Sequence, residues 1–457
     1  MKKFKLYLTI LSTSLCLTGY AKEYTVVSPN GDLKAVVSDN LTYKVLFNGA
    51  TAVDGTAALT LDNGKTLTTM KSARSGRVHS EVASPFYRST SIPDNYNWLT
   101  LKSDKDWSVE FRAYDDGIAY RWVYNSKKPV NVIDETVDFD FSPGASAWIP
   151  YTRGGKDGEI ETQFFNSFEN LYTEGKLSEL PTGRLAFLPV VIAPSDNLKV
   201  LITESDIADY PGLFLRPDGN SLKGIHAPKP KKWHTGGHIN IQKIIDETHP
   251  YIATISGARN LPWRIVAVTD NDKDLAATQL TYLLGAPSQI SDISWIKPGK
   301  VAWDWWNDWN LIGVDFPVGI NQKTYEAYID FAAKNGIEYV ILDEGWSVRD
   351  CGNLFDVIPE IDMPALVKYA SDKGVGIILW GGFVPFMQDL EEVCRHYAEM
   401  GVKGFKIDFF DSNDQDETGF LDKAAETAAR YNLVLDLHGT HIPAGINRKW
   451  PNVLNCE

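Results

Sequence analysis

The rhythm of this chain changes at Pro287-Ser288, and that change limits the possible folds more than any other feature. Upstream, from residue 23 to about 290, apolar and polar residues alternate in short runs, the period of a strand with one buried face. The run 42–47 ends in Asn48-Gly49 and the run 58–61 in Asp62-Asn63-Gly64, both signatures of a strand entering a tight turn. Alternation through Trp107, Val109, Phe111 and Ala113 passes Asp115-Asp116-Gly117 and resumes at Ile118-Ala119-Tyr120, which predicts a hairpin. No long helical period interrupts this half, so a large antiparallel β-sandwich is expected. Downstream, strands are expected at 300–306, 338–343, 375–380, 404–410, 433–437 and 453–456. Helices are expected between them at 323–334, 363–373, 388–400 and 420–431, with Gly336, Gly374 and Gly401 as stop signals. Such alternation builds parallel βαβ units. No Gly-x-Gly-x-x-Gly follows any strand, which argues against a doubly wound nucleotide-binding sheet. Six strands leave an eight-stranded barrel two short, so an incomplete (β/α)8 TIM barrel, truncated after its sixth strand, is expected.

These readings divide the 457 residues into a leader at 1–21, a β domain at 22–290 and a barrel domain at 291–457. In the leader, Lys2, Lys3 and Lys5 precede an apolar run from Leu6 to Leu17 and then Gly19-Tyr20-Ala21, the pattern of an export signal cleaved after Ala21. The expected location is therefore outside the cytoplasm, in the periplasm, with no membrane anchor because the run is short. Without the leader, Cys351, Cys394 and Cys456 remain, an odd and sparse set that is neither a disulfide framework nor a metal motif. A net charge of −14 argues against nucleic acid or an anionic membrane as partner. The 14 Trp, 20 Tyr and 20 Phe suit sugar binding, because the C–H face of a pyranose stacks on aromatic rings, although β-rich domains also carry many aromatics.

Polar residues gather where the predicted parallel strands end, the place where barrel active sites are built. The first strand ends in Trp303, Asp304, Trp305 and Trp306, and the second in Asp343, Glu344 and Trp346. The third supplies Trp380, the fourth Lys406 and Asp408, the fifth Asp436 and His438, and the sixth Glu457. One carboxylate at a strand end is usually a cap. Carboxylates and indoles at most strand ends fit a polyhydroxylated ligand held by acceptors and stacked on rings. Lys406 and Asp408 share one face of their strand, so the cation keeps the carboxylate ionised, as a nucleophile requires. His438 and His441 lack a third clear partner for zinc.

On these residues the chain resembles glycoside hydrolase family 97. The matching pieces are Pro29-Asn30-Gly31, Tyr114-Asp115-Asp116-Gly117-Ile118-Ala119-Tyr120-Arg121, Ile202-Thr203-Glu204-Ser205-Asp206 and Asp209-Tyr210-Pro211-Gly212. Asn260-Leu261-Pro262-Trp263-Arg264, Asp343-Glu344-Gly345-Trp346, Lys406-Ile407-Asp408 and His438-Gly439-Thr440 continue them in order. The resemblance implies an N-terminal β-super-sandwich, a catalytic (β/α)8 barrel, a small C-terminal β-domain and calcium-assisted exo-hydrolysis of α-glycosides. It implies Asp408 as nucleophile and Glu204 and Glu457 as calcium ligands. The substrate-binding residues expected are Trp303, Trp305, Asp343, Glu344, Trp346, Trp380, Lys406 and His438. Inverting members resemble one another in a glutamate directly after the fifth-strand histidine, where this chain has Gly439. Retaining members carry the fourth-strand aspartate, here Asp408. The expectation is a retaining α-galactosidase acting through a covalent glycosyl-enzyme, with an α-glucosidase or a non-catalytic carbohydrate-binding protein as alternatives. The resemblance puts the general acid/base glutamate just downstream of Glu457, so residues 1–457 are expected to be inactive alone.

Overall fold

A computed structural model describes residues 22–348 and 353–457, so the predicted leader and Cys351 lie outside the described residues. The first part is mostly β. A nine-stranded and a ten-stranded sheet, each built of antiparallel pairs, face each other across one core. Val37, Val45, Leu59 and Val137 from the first sheet and Phe111, Tyr120, Trp122, Ile202 and Val266 from the second share that core. The predicted hairpin forms from Trp107–Ala113 and Gly117–Tyr124, with Val109 opposite Trp122 and Phe111 opposite Tyr120. Apart from both sheets, Pro230–Gly236 and Gln242–Thr248 make a two-stranded ribbon. Two short helices, Asp272–Ala277 and Leu280–Leu284, close this part; they are too brief to produce a helical period in the sequence.

The second part is a six-stranded parallel sheet of Val301–Trp303, Tyr339–Leu342, Gly376–Gly382, Gly404–Asp408, Val434–Leu437 and Val453–Cys456. Each strand pairs with the next, in chain order. A doubly wound sheet would reverse direction at a switch point; this one does not. Helices Gln322–Asn335, Met363–Asp372, Leu390–Met400 and Gln415–Arg430 cover the sheet and bury Leu366, Val393, Tyr397 and Leu421 in a second core. Asn321 caps the first of these helices through Thr324 N, and Gly336 ends it at φ 63°.

Several boundaries differ from the sequence reading, three of them near the cleft or its supporting helices. The expected strand 300–306 stops at Trp303, and a 3₁₀ turn at Trp305–Asn307 follows. The expected helix 388–400 is preceded by a separate helix, Phe383–Gln388. The last helix starts at Gln415, because the Asp414 side chain accepts from Asp416 N and Glu417 N and so fixes the first turn. Among the described residues, no helix is long and apolar enough to cross a membrane.

Candidate active site

The C-terminal ends of the parallel strands open into a cleft of about 400 Å³. Trp303, Trp305, Asp343, Glu344, Trp380, Lys406, Asp408, His438 and Glu457 line it, all of them expected from sequence. Asp408 sits at the tip of the fourth strand and is half-buried. Its Oδ2 accepts from the Trp380 indole at 3.2 Å and lies 3.4 Å from Lys406 Nζ. Its Oδ1 accepts from Phe409 N–H at 2.8 Å. That bond needs an abrupt turn: Phe409 has φ 66° and Asp411 φ 52°, a conformation that costs a bulky residue energy and is kept where the surroundings enforce it.

Lys406 is buried and reaches Asp343 Oδ2 at 2.7 Å, with its ammonium 4.4 Å from the Trp303 ring centre. Burial pulls its pKa down, but Asp343 and Asp408 outweigh that and leave it raised, so the cation persists. Asp343 also accepts from the Trp303 indole at 2.5 Å. Behind them Asp304 is fully buried, takes the Tyr325 hydroxyl at 2.9 Å, and is pushed up to about 7 by burial and by Asp343. It braces the second strand end through Asp343 N–H rather than facing the cleft. His438 lies between carboxylates: Asp436 Oδ1 at 3.3 Å, Asp408 Oδ2 at 3.9 Å, and Glu457 in direct contact. Burial lowers its pKa, and the contact with Asp436 more than compensates, so the net shift is upward. Gly439, at φ 60°, faces this group; a Cβ there would stand 3.5 Å from Asp408 Oδ1. The missing side chain leaves one flank of Asp408 open.

Two expected site residues belong elsewhere. Trp346 is fully buried, donates its indole N–H to the Trp380 carbonyl at 2.9 Å and packs edge-on against Tyr397. Its ring is core and cannot stack on a ligand in the cleft. Glu204 is sealed inside the sandwich, where it contacts the Arg264 guanidinium and accepts from Leu213 N–H at 2.9 Å. Its oxygens are committed, and it does not join Glu457 in a shared site. Among the described residues, no group of three or more His, Cys, Asp or Glu side chains is arranged to hold a metal.

The cleft also takes residues that strand-end reasoning missed. Ser167 and Glu169 come from a loop of the β part, His238 from the tip of the ribbon, and Trp309, Phe409 and Asp411 from loops after the first and fourth strands. The β part grips the turn after Asp408. Asn166 N–H donates to Asp411 O at 2.9 Å, the Gln242 amide contacts Asp411 Oδ2, and Gly212 N–H donates to Asn413 O at 2.9 Å. Burial, with a smaller contribution from Asp408, pushes Asp411 up to about 6.

Family models assign both parts. The model described as Glycosyl-hydrolase 97 N-terminal matches residues 26–287, and that described as Glycoside hydrolase 97 matches 305–457. The chain belongs to glycoside hydrolase family 97. A retaining alpha-galactosidase of Bacteroides thetaiotaomicron is 54% identical over 466 residues, an alignment covering 100% of this chain and 70% of that protein. A probable retaining alpha-galactosidase of Streptomyces bingchenggensis is 31% identical over 353 residues, covering 76% of this chain and 49% of that protein. Among solved structures, a family 97 enzyme from Pseudoalteromonas sp. in complex with acarbose superposes with a TM-score of 0.80 at 20% identity, covering 95% of this chain and 69% of that one. A beta-arabinopyranosidase superposes at 0.76 and 20% identity, covering 94% and 69%. These two share the fold.

Proposed function

We infer that this chain carries the nucleophile and substrate cleft of an exo-acting retaining α-glycosidase, an α-galactosidase. One observation carries the reading: the Asp408 carboxylate, held by an indole, an ammonium and a backbone N–H, faces a cleft beside a glycine. Asp408 attacks the anomeric carbon from the face opposite the leaving oxygen and forms a glycosyl ester; water then releases the sugar with its configuration retained. Lys406 and the Trp380 N–H hold the carboxylate in place and aimed at the cleft. Trp303 and Trp305 offer ring faces, and Asp343 and Glu344 offer acceptors for hydroxyls. Galactose is placed ahead of glucose on the strength of the 54%-identical relative. The leaving oxygen takes its proton from a second carboxyl group, which a retaining mechanism places about 5–5.5 Å from the attacking carboxylate.

Three wider readings go with this one. The six strands are taken as part of a (β/α)8 TIM barrel, which their sequential parallel order supports. The domains are taken as 22–290 and 291–457, and the leader supports export to the periplasm. Calcium enters with a changed ligand set. Glu204 does not fit, whereas Glu169 and Glu457 both line the cleft, and the charge on Glu169 helps burial to raise the Glu457 pKa. A bound calcium ion would neutralise that pair and attract sugar oxygens. The steps of the reaction do not pass through it.

The deciding experiment uses the full-length protein and a 2-fluoro-galactoside trap. Mass spectrometry places the label on the peptide containing Asp408, and product NMR shows α-galactose first. A label elsewhere, or β-galactose first, overturns the reading.

A further inference from the structure

The ribbon formed by Pro230–Gly236 and Gln242–Thr248 lies outside both large sheets and is mostly exposed along its first strand, so its residues owe little to a core. Its tip is nevertheless tightly specified. Gly237 has φ 68°, Ile239 φ 36° and Asn240 φ 56°. A β-branched residue at positive φ is strained and persists only where neighbours enforce it. The enforcement is visible at the base of the tip. Gln242 accepts from His238 N–H and also reaches Asp411, Lys243 meets Asp414 at 3.3 Å, and Val384 N–H donates to Ile241 O at 3.0 Å. A Cβ at Gly237 would collide with Gln242 Oε1 at 1.9 Å, so only glycine closes this turn.

What the turn delivers is His238. Its ring stacks on Phe409 with centroids 4.7 Å apart, and its Nε2 is 2.6 Å from Glu344 Oε2. Both residues line the cleft that holds Asp408. The His238 side chain is 45% exposed, and among the described residues its Nδ1 has no hydrogen-bond partner. With Nε2 engaged by the carboxylate, Nδ1 accepts in the neutral ring and donates in the imidazolium. A sugar hydroxyl both donates and accepts, so it suits either state.

We propose that His238, paired with Glu344, is a specificity-determining residue of the glycosidase, contributed by the β part, whose Nδ1 hydrogen-bonds one ring hydroxyl of the bound galactoside. The proposal rests on the proposed function and adds a ligand contact from outside the parallel-strand ends. It also gives the strained tip a purpose: a turn that relaxed would carry the imidazole away from Phe409 and Glu344.

The test uses the full-length enzyme with p-nitrophenyl α-galactoside and its 3-, 4- and 6-deoxy analogues. In the wild type, loss of the contacted hydroxyl lowers kcat/KM about tenfold. In His238→Ala, KM for the parent rises about tenfold, kcat stays within about threefold, and the penalty for that one deoxy analogue disappears while the others stay. His238→Gln, which keeps a polar group at similar reach, recovers most of the KM. A merely structural role would move all substrates together and leave every deoxy penalty in place. Unchanged penalties in the Ala variant overturn the proposal; where that variant fails to fold, His238→Phe, which keeps a ring against Phe409 but has no Nδ1, decides by the same penalties. A wild type that hydrolyses no α-glycoside removes the underlying reading, and this one with it.

Discussion

The molecule holds two clusters in which a cation sits between carboxylates, and they do opposite work. In the sandwich, Arg264 meets Glu135 at 2.6 Å and contacts Glu204, with His226 beside it, and every member is buried. In the cleft, Lys406 meets Asp343 and Asp408, with His438 beside them, and one side opens to solvent. The two histidines record the difference. Burial, then Arg264, pushes His226 down to about 3, whereas the carboxylates around His438 overcome burial and raise it. A sealed cluster satisfies its charges with one another. An open one keeps a carboxylate, Asp408, with a face left for something else.

Removing Asp408 from the open cluster and Arg264 from the sealed one should therefore separate activity from stability. Asp408→Gly is expected to lower turnover of an aryl α-galactoside by about 10³-fold or more with the melting temperature nearly unchanged. Azide should restore turnover and give a β-galactosyl azide; wild-type rates in this variant would erase the contrast. Arg264→Met strands Glu135 and Glu204 without a counter-charge, and about 3–5 kcal/mol of stability should go, read by denaturant unfolding. Protein that still folds should keep its KM.

The pH response should split along the same line. His226 has a depressed folded pKa, so the stability it lends is full above about pH 6.5 and falls away as pH drops toward about 3. His438 has a raised folded pKa, so its contribution is full below about pH 6.5 and is lost as pH climbs through the raised value. In stability–pH curves, His226→Gln should flatten the acid limb and His438→Gln the neutral limb; the reverse assignment would refute the contrast. The smallest effect belongs to Gly439→Ala. An L-residue at φ 60° costs about 1–2 kcal/mol, and its methyl would press on Phe409 N at 3.3 Å, the donor that holds Asp408, so a several-fold loss in kcat is expected with a modest drop in melting temperature.

Much of this could be read from the sequence because local periodicity carries it. Six parallel strands and the polar residues at their ends follow from strand–helix alternation, and Lys406 and Asp408 share a face because strands have period two. The failures share a cause. Glu204 was expected as a calcium ligand because the partner that occupies it, Arg264, is sixty residues away and meets it only through the pairing of Leu198–Ser205 with Trp263–Thr269. Trp346 follows Asp343 and Glu344 closely, but the chain turns after the strand and sends it into the core. Glu169 and His238 reach the cleft from the β part, and no local pattern announces a contact across 106 residues such as that between His238 and Glu344. The start of the last helix was hidden for a similar reason: its polar first turn is buried against the β part, with Gln415 bonded to Thr254 and Thr418 to Tyr210.

The turn after Asp408 is shaped from outside its own sheet. Main-chain groups at Asn166 and Gly212 clasp residues 411 and 413, much as a mould fixes a casting. The parallel sheet produced by itself would present the right carboxylate on a slack loop. A substitution at Gly212, which does not line the cleft but would press on Asn413, would then register as a fault in chemistry, and the two parts have reason to be inherited together.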